Sequence, residues 1–372
     1  MADLAQMPSR PLEDASPGAV LRAWHWARAH LFNGVVNTVL TLLIVYAFVR
    51  IVVPVLQWAF VYATWSADSD RTCEAAGGAC WAFLGSWGRF IIFGRFPYGE
   101  QWRPALVLVL FVAMLAVSSR PGLRGRTLLA IWGGGLAAVG ALMWGGFLGM
   151  PYVETELWNG LPLTLILAMG GVGFAFPVGV VAALGRRSKL PAIRWLSVAY
   201  IELIRGVPLI TLLFMASLMV PLFLPTGVGV AKLWRAEIGF ALFFGAYLAE
   251  AVRGGLQAIP RGQYEAADAL GLGYWRKTYL IILPQALAIS IPSIVNLFIG
   301  AFKDTTLITI VGIFDILQDA NTGLNDPAWR HAYVEAYTTV GVIFFAFCYF
   351  MSRYSQYLER RLRRTGTGPR RK

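Results

Sequence analysis

Charged residues, histidines and cysteines are all scarce in this chain, and each scarcity excludes a class of function. Asp, Glu, Lys and Arg make up 14% of the residues, whereas apolar residues make up 57% and the mean hydropathy is +0.60. This composition is that of a membrane protein. With only three histidines and three cysteines, the sequence suggests no metal site, no catalytic triad and no buried histidine proton relay.

The chain also lacks a nucleotide-binding loop. No G-x-x-x-x-G-K-[ST] occurs, and the nearest fragment, Lys277-Thr278, follows Arg276 instead of a glycine. We therefore expect this chain to hold no cofactor and to be no enzyme. Because concentrating a solute a hundredfold costs about 2.7 kcal/mol, active transport here would need either ATP hydrolysis on a partner or an ion gradient.

Eight segments are apolar over nearly the length that a membrane span requires. The predicted fold is therefore an all-α membrane protein with about eight transmembrane helices. No cleavable signal peptide is expected, because the first 30 residues are polar and contain Pro8, Pro11 and Pro17. The predicted spans lie near 33–56, 104–119, 127–149, 160–185, 196–224, 237–256, 279–300 and 336–356.

Basic residues in the loops predict the orientation. With the N-terminus in the cytoplasm, the cytoplasmic segments carry 21 Lys and Arg residues and the external segments carry 8. Both termini are thus expected in the cytoplasm. Much of the net charge of +12 lies in the tail, where it would attract anionic lipid headgroups. No aromatic pattern of the nucleic-acid-binding kind accompanies it, so no nucleic-acid partner is expected.

The predicted spans divide the chain near residue 150. Residues 1–32 form a cytoplasmic segment, 33–150 hold three spans and an external loop at 57–103, and 151–357 hold five spans and a cytoplasmic loop at 258–278. A basic cytoplasmic tail occupies 358–372.

Three parts of the external regions have no clear periodicity. The aromatic end of the first loop, Trp81–Trp102, with Arg89, Arg95 and the adjoining Arg103, is interpreted as an interfacial segment; a ninth span or a contact for an external partner are the alternatives. Leu307–Leu317 is too short to span and is predicted to be re-entrant or interfacial. Asn321–Arg330 is predicted to be a polar loop.

The three cysteines fall in two places. Cys348 lies in the last predicted span and is interpreted as a small apolar residue. Cys73 and Cys80 share the external loop 57–103. In an oxidising periplasm they would either pair, as a staple of the loop, or remain free, and the sequence leaves both open.

The loop at 258–278 contains a short polar helix between two spans. Pro260 and Gly262 are predicted to end the preceding span, and an alanine-rich run then restarts a helix with Glu265 in its first turn. Gly271 is predicted to take the left-handed conformation that ends this helix. From these residues alone, it is either an ordinary surface helix or one that docks into a partner.

A longer pattern in this loop resembles a known family. The string E-A-A, three residues, G, nine residues, I-x-L-P is similar in full to the EAA loop of bacterial ABC importer permeases. It is formed here by Glu265, Ala266, Ala267, Gly271, Ile281, Leu283 and Pro284.

Further segments resemble the polar amino-acid permeases of this family, the type I class. They are Tyr200–Ile210, Ala246–Leu256, Pro284-Gln285-Ala286 and Lys303–Leu307. The resemblance covers about 150–357, and the preceding spans and loop are similar to the M subunit of general L-amino-acid permeases.

The resemblance implies a function and its partners. Glu265, Ala266, Ala267, Asp268 and Gly271 would dock into a cytoplasmic ABC ATPase dimer, which binds ATP and Mg. A periplasmic binding protein would deliver amino acids, and a second related permease subunit or a second copy of this chain would complete the pore. The resemblance also implies a location in the bacterial inner membrane. The alternatives are an ion-coupled secondary amino-acid transporter and a non-transporting membrane receptor or scaffold.

Several polar residues lie within or at the ends of the predicted spans. Glu202 with Arg205 and Glu250 with Arg253 are i,i+3 pairs, which would either hold the helix register or line the translocation path. Asn296 is either a cavity residue or an interhelical hydrogen-bond donor. The run at the external end of the seventh span would either meet the substrate or form a solvated helix end; it comprises Lys303, Asp304, Thr305 and Thr306.

Overall fold

The computed structural model describes residues 19–118, 120, 125–225 and 229–364, with the side chains of 19, 21, 22 and 361–364 outside the description. Of the predicted terminal segments, 1–32 is thus described from residue 19 and 358–372 only to residue 364. Helices are the regular elements of the described ranges. In chain order they are α1 Ala19–His30, α2 Val35–Leu56, α3 Asp70–Ala76, α4 Ala82–Phe93, α5 Trp102–Ser118, α6 Gly125–Trp144, α7 Gly160–Arg186, α8 Pro191–Gly206, α9 Leu209–Phe214, α10 Lys232–Gln257, α11 Arg261–Ala269, α12 Tyr274–Lys277, α13 Leu283–Asp304, α14 Ile316–Leu324 and α15 Tyr333–Arg364.

Helices occupy all eight segments that the sequence predicts to be spans. Among the described residues, six helical stretches are long and apolar enough to cross a membrane, and a bent pair would be a seventh. The remaining segment is α10, which is 26 residues long but carries five charged residues that lower its hydropathy. The six stretches are Val35–Val61, Tyr98–Ser118, Gly125–Trp144, Gly160–Arg186, Tyr274–Val311 and Tyr333–Arg360.

The fifth predicted span is not one straight helix. The segment predicted to span the membrane at 196–224 is bent, because α8 and the helix Leu209–Phe223 meet at an angle of 105°. Val207 is extended, with φ −105° and ψ 134°, and Pro208 follows it. A proline has no N–H to donate and disfavours helical geometry in the residue before it, so the helix ends there.

The described chain divides into two compact units. Of the described residues, the smaller holds 19–64 and 73–79. Within it, α2 runs on into a π-helical turn at Gln57–Val61, and the N–H of Ala79 donates to the carbonyl of Trp58 over 2.9 Å. No residue of α2 is buried within the described chain, as expected of a helix whose apolar side chains face lipid.

Of the described residues, the larger unit holds 65–72 and 80–364 except for the gaps given above. It contains α5 and α6 together with the later helices. Arg103 at the start of α5 is fully buried and donates to the carbonyls of Leu142 at 2.6 Å, Met143 at 3.2 Å and Pro151 at 3.0 Å. It thereby satisfies carbonyls at the C-terminal end of α6. Arg103 is therefore enclosed by the protein, and its place at the headgroup zone stays a prediction.

Helices α7 and α10 pack along each other at the centre of the larger unit. Glycines bring them close: a Cβ at Gly179 would lie 2.9 Å from the carbonyl oxygen of Gly245, and one at Gly170 would lie 2.6 Å from Oε1 of Glu237. The glycine-rich stretch of α7 therefore makes room for the buried Glu237 side chain on α10. Small residues allow such close helix contacts in membrane proteins.

The predicted external segments form folded structure on the larger unit. Helix α4 packs against α14 and α7, with Phe83 and Ile91 buried. The prediction of a plain polar loop at Asn321–Arg330 is wrong, because α14 extends to Leu324 and Trp329 is buried. The stretch predicted to be re-entrant or interfacial is a 3₁₀-helix at Thr305–Val311, followed by the first turn of α14.

Candidate functional site

The loop that resembles the EAA motif is an exposed helix, α11, which follows directly on α10. Pro260 occupies its N-cap, so the helix begins at Arg261, and Gly262 lies inside it. The predictions that Glu265 is in the first turn and that Gly262 ends the preceding span are therefore wrong. Proline has no N–H, so at the start of a helix it leaves no unpaired donor, and α11 can begin directly after Pro260.

The end of α11 has the predicted geometry. Gly271 has φ +70° and its N–H donates to the carbonyl of Asp268 over 2.9 Å. The prediction of a left-handed glycine is confirmed, and a Cβ there would meet nothing within 4 Å. Any strain from a larger residue at this position would come from the backbone alone.

One side of α11 packs against the rest of the chain and the other side is exposed. Ala267 is buried, and the carboxylate of Asp268 pairs with Lys277. Tyr264 packs partly against the core cluster, and its hydroxyl accepts a hydrogen bond of 3.0 Å from Nη1 of Arg187. Glu265 and Ala266 are exposed, so the free side combines small residues with one carboxylate.

Of the two charged pairs that the sequence predicts on α8 and α10, one forms and the other does not. Glu250 accepts from Arg253 over 2.7 Å, as the i,i+3 spacing predicts. The predicted Glu202–Arg205 pair does not form. Arg186 at the end of α7 instead donates to Glu202 over 2.9 Å and to Glu250 over 2.7 Å, and the Arg205 guanidinium lies over the ring of Tyr247.

Arg186 thus joins α7, α8 and α10 in one network. Sequence inspection missed it, because its partners are 16 and 64 residues away and no local spacing reveals them. The only signal in the sequence is its place as the first basic residue after an apolar run.

The polar residues in α13 and directly after it differ in how far their side chains are exposed. The side chains of Asn296 and Lys303 are exposed, and Asp304 is half-buried. Thr305 is buried, and its hydroxyl donates to the carbonyl of Phe302 over 2.8 Å. The hydroxyl of Thr306 donates to the carbonyl of Lys303 over 3.0 Å. Both threonines therefore stabilise the helix end by donating hydroxyl hydrogen bonds to backbone carbonyls.

Two buried carboxyl groups on the predicted external side were also missed. Asp315 caps α14 by accepting from the N–H of Gln318 over 3.0 Å, and burial raises its pKa to about 6. Burial and the nearby Asp315 carboxylate raise the pKa of Asp319 to about 8, against an opposing effect of Arg95. Both aspartates are fully buried.

The cysteines have two states. Cys73 and Cys80 are disulfide-bonded, whereas Cys348 in α15 is a free thiol.

Comparison with known proteins identifies the family to which this chain belongs. Residues 175–364, about half of the chain, match the family described as binding-protein-dependent transport system inner membrane component. The matched range contains α8 to α15, including α11 and the Arg186 network. The chain belongs to this family: it is a multi-span permease component of an inner-membrane transport system.

Two curated relatives align with nearly the whole chain. The inner membrane amino-acid ABC transporter permease protein YhdY of Escherichia coli (strain K12) is 45% identical over 369 residues, covering 98% of this chain and 99% of that protein. The glutamate/glutamine/aspartate/asparagine transport system permease protein BztC of Rhodobacter capsulatus is 38% identical, covering 95% of this chain and 96% of that one. The N-terminal part of this chain is thus covered by the alignments with both relatives.

A shorter relative matches only part of the chain. The glutamate/aspartate import permease protein GltK of Escherichia coli O6:H1 is 33% identical over 218 residues, which are 57% of this chain and 94% of that protein. A permease of this family can therefore consist of little more than the shared portion.

Proposed function

We propose that this chain is the permease subunit of an ATP-driven importer for amino acids, of polar or broad specificity. The names of the relatives support amino acids as the substrate, and two of these relatives align over nearly their whole length. Nothing in the relatives supports the ion-coupled alternative, since the family is described as a component of binding-protein-dependent transport.

The observation that carries the proposal is the exposed helix α11 with its complete EAA string. Its alanines permit close approach of a partner's backbone, and the free carboxylate of Glu265 adds one charged contact. The base of α11 is bonded to the bundle, since Arg187 on the α7–α8 connection donates to both Tyr264 and the carbonyl of Leu256. A force applied to α11 would therefore act on the packed pair α7 and α10.

The partners follow from this mechanism. A cytoplasmic ATPase dimer would bind ATP and Mg and hold α11, while this chain would hold no cofactor of its own. A periplasmic binding protein would deliver the amino acid on the opposite side. A second permease chain, either related or identical, would complete the pore, and closure of the ATPase would switch access by rigid-body motion. In this arrangement both termini lie in the cytoplasm.

Roles for the polar residues in the spans follow from their contacts. Glu202, Glu250 and Arg253 form ion pairs within the Arg186 network. These pairs support a role in holding the helices in register. Asn296 and Lys303 have exposed side chains and are the better candidates for lining the translocation path.

The test reverses the charge of Glu265 and measures whether the ATPase still co-purifies and whether the amino acid is taken up. Glu265→Arg should leave the protein in the membrane but remove ATPase capture and uptake, whereas Asp68→Arg on the predicted external side should retain capture. Gly271→Asp should behave like Glu265→Arg, because φ is +70° there. Gly273→Asp, at φ −63°, is the matched control. Normal capture and uptake by Glu265→Arg would refute the proposal.

A further inference from the structure

A small pocket lies on the predicted external side of the protein, where α7, α10 and α14 begin. Its volume is about 100 Å³. A single bound water needs roughly 10–15 Å³ of such space, so a small solute fits. We call it the outer pocket. Its charged lining residues are Arg95, Glu156 and Lys232.

Four separate segments of the chain meet at the outer pocket. Arg95 lies between α4 and α5, and Glu156 lies in the 3₁₀ turn before α7. Lys232 begins α10, and Phe314 lies shortly before α14. The loop charges predict each of these four segments to be external. The pocket therefore belongs to the side from which an imported solute would arrive.

The inner wall of the outer pocket is apolar and buried. Trp158, Leu233 and Ile313 line it and are 3%, 5% and 8% exposed. The indole N–H of Trp158 donates to the carbonyl of Val153 over 3.3 Å, which fixes the ring in place. The pocket thus combines a packed wall with charged side chains, which are exposed.

The three charged side chains do not pair with one another. Among the described residues, Arg95, Glu156 and Lys232 form no salt bridge, so no N–O distance from Glu156 to either cation is 4.0 Å or shorter. The guanidinium of Arg95 lies over the ring of Phe314, 4.7 Å from its centroid, which holds it beside the pocket. Two cations and one carboxylate are therefore available to a ligand.

Neither cation is explained by the stability of its surroundings. Lys232 lies in the first turn of α10, where the helix dipole disfavours positive charge, and that turn contains no acidic residue. Arg95 lies near the carboxyl of Asp319, but that group is buried and has a pKa of about 8, so near pH 7 it is mostly protonated. It does not neutralise Arg95. The outer pocket therefore carries a net positive charge.

We propose that the outer pocket binds an acidic amino acid, with its two carboxylates at Arg95 and Lys232 and its ammonium at Glu156. The three charges of L-glutamate or L-aspartate are opposite in sign to these three side chains. A neutral amino acid would leave one cation unmatched, and a basic one would bring a second ammonium beside the cations. Guanidinium groups bind carboxylates through paired hydrogen bonds. This inference rests on the proposed function and assigns a substrate class to a site on the external side.

The experiment measures binding of radiolabelled L-glutamate by equilibrium dialysis. It uses the purified full-length protein, in whatever permease assembly it is obtained, with no binding protein added. Arg95→Gln and Lys232→Gln should each raise the dissociation constant about tenfold, near the lower end of what a hydrogen bond between charged groups contributes. Arg330→Gln removes the same charge from an exposed residue that does not line the pocket, and should change binding less than twofold. Equal weakening in Arg330→Gln would overturn the proposal in favour of general surface attraction.

A second ligand tests the contact with the ammonium. Glutarate has both carboxylates of L-glutamate but no amino group. Glu156→Gln should weaken L-glutamate binding about tenfold and bind glutarate at least as tightly as the wild type. Glu154→Gln, two residues earlier and also exposed, is the matched control and should bind both ligands like the wild type. Equal losses of both ligands in Glu156→Gln would overturn the assignment of Glu156.

Failure of this inference can be told apart from failure of the proposed function. Wild-type protein that captures the ATPase and supports uptake, but binds no L-glutamate in dialysis, would overturn the outer pocket alone. Loss of a co-purified periplasmic protein from Arg95→Gln and Lys232→Gln, without L-glutamate binding to the wild type, would assign the pocket to a protein contact instead. Absence of ATPase capture by the wild type would overturn the proposed function, whatever the dialysis shows.

Discussion

Arg186 shows how one side chain can organise several helices. Its guanidinium pairs with Glu202 on α8 and with Glu250 on α10, while Glu250 also accepts from Arg253. The two carboxylates are not equal, since the side chain of Glu250 is 17% exposed and that of Glu202 is 56% exposed. The inner carboxylate, which has two cationic partners, therefore carries most of the network's contribution to stability.

Glu250→Gln should consequently destabilise the protein more than Glu202→Gln. The first loses hydrogen bonds between charged groups in a largely buried place, at a cost of about 1.5–3 kcal/mol. The second loses an exposed ion pair, which is worth below about 1 kcal/mol. Thermal unfolding of the purified variants measures the difference, and an equal effect of both would contradict the assignment of Glu250 as the centre of the network.

The buried carboxyl of Asp319 predicts a pH dependence. Because its pKa is raised to about 8 from the ordinary 3.8, its contribution to stability is fully present below pH 3.8 and is lost as the pH rises through about 8. The loss is at most about 1.4 kcal/mol per pH unit. Asp319→Asn cannot ionise, so its unfolding midpoint should fall less between about pH 5 and about pH 8 than that of the wild type. Asp68→Asn, an exposed aspartate, should follow the wild type, and a parallel decline in Asp319→Asn would disprove this account.

Among the helices, α7, α10 and α13 are positioned by glycines at their contacts. A Cβ at Gly255 on α10 would overlap the carbonyl oxygen of Ala286 and the hydroxyl of Ser290 on α13. Gly254, its neighbour on the same helix, has nothing within 4 Å of the place where a Cβ would lie. One glycine is therefore required by packing and the other is not.

This adjacent pair provides a matched test of helix packing. Gly255→Ala should destabilise the protein by about 1–3 kcal/mol, because α10 and α13 must separate or distort. Gly254→Ala should be neutral or stabilise by up to about 1 kcal/mol through helix propensity. Thermal unfolding and uptake of the two variants are to be compared, and a loss in Gly254→Ala as large as in Gly255→Ala would show that packing against α13 is not the cause.

For the whole molecule, orientation in the membrane is the main prediction that rests on loop charges. Ala269 on α11 and Glu154 before α7 both have exposed side chains. They lie on opposite sides of the membrane if α7 to α10 cross as predicted. The disulfide-bonded cysteines will not react with a thiol reagent, and Cys348→Ala removes the free thiol.

Labelling with a membrane-impermeant maleimide tests this orientation. In the Cys348→Ala background, Ala269→Cys should be labelled in inside-out vesicles and protected in intact cells, because α11 must face the cytoplasm to reach an ATPase. Glu154→Cys should show the reverse. Labelling of Ala269→Cys from outside the cell would contradict both the topology and the proposed docking role of α11.

Features encoded by neighbouring residues were predictable from the sequence. Apolar length located helices at all eight predicted spans, because a span is defined by contiguous residues. The left-handed turn at Gly271 was likewise predictable, since it depends on a glycine directly after a helix. The EAA string led to the correct family because its spacing is carried within a single loop.

Features that depend on the packing of distant segments were decided only by the tertiary structure. The partners of Arg186, the burial of Arg103 and the burial that raises the pKa of Asp319 arise from groups that lie far apart in the chain. The pairing of Glu202 with Arg186, where the i,i+3 rule predicted Arg205, shows the same limit. Local spacing determines which partners a side chain can reach along its own helix, but the packed neighbours determine which partner it bonds.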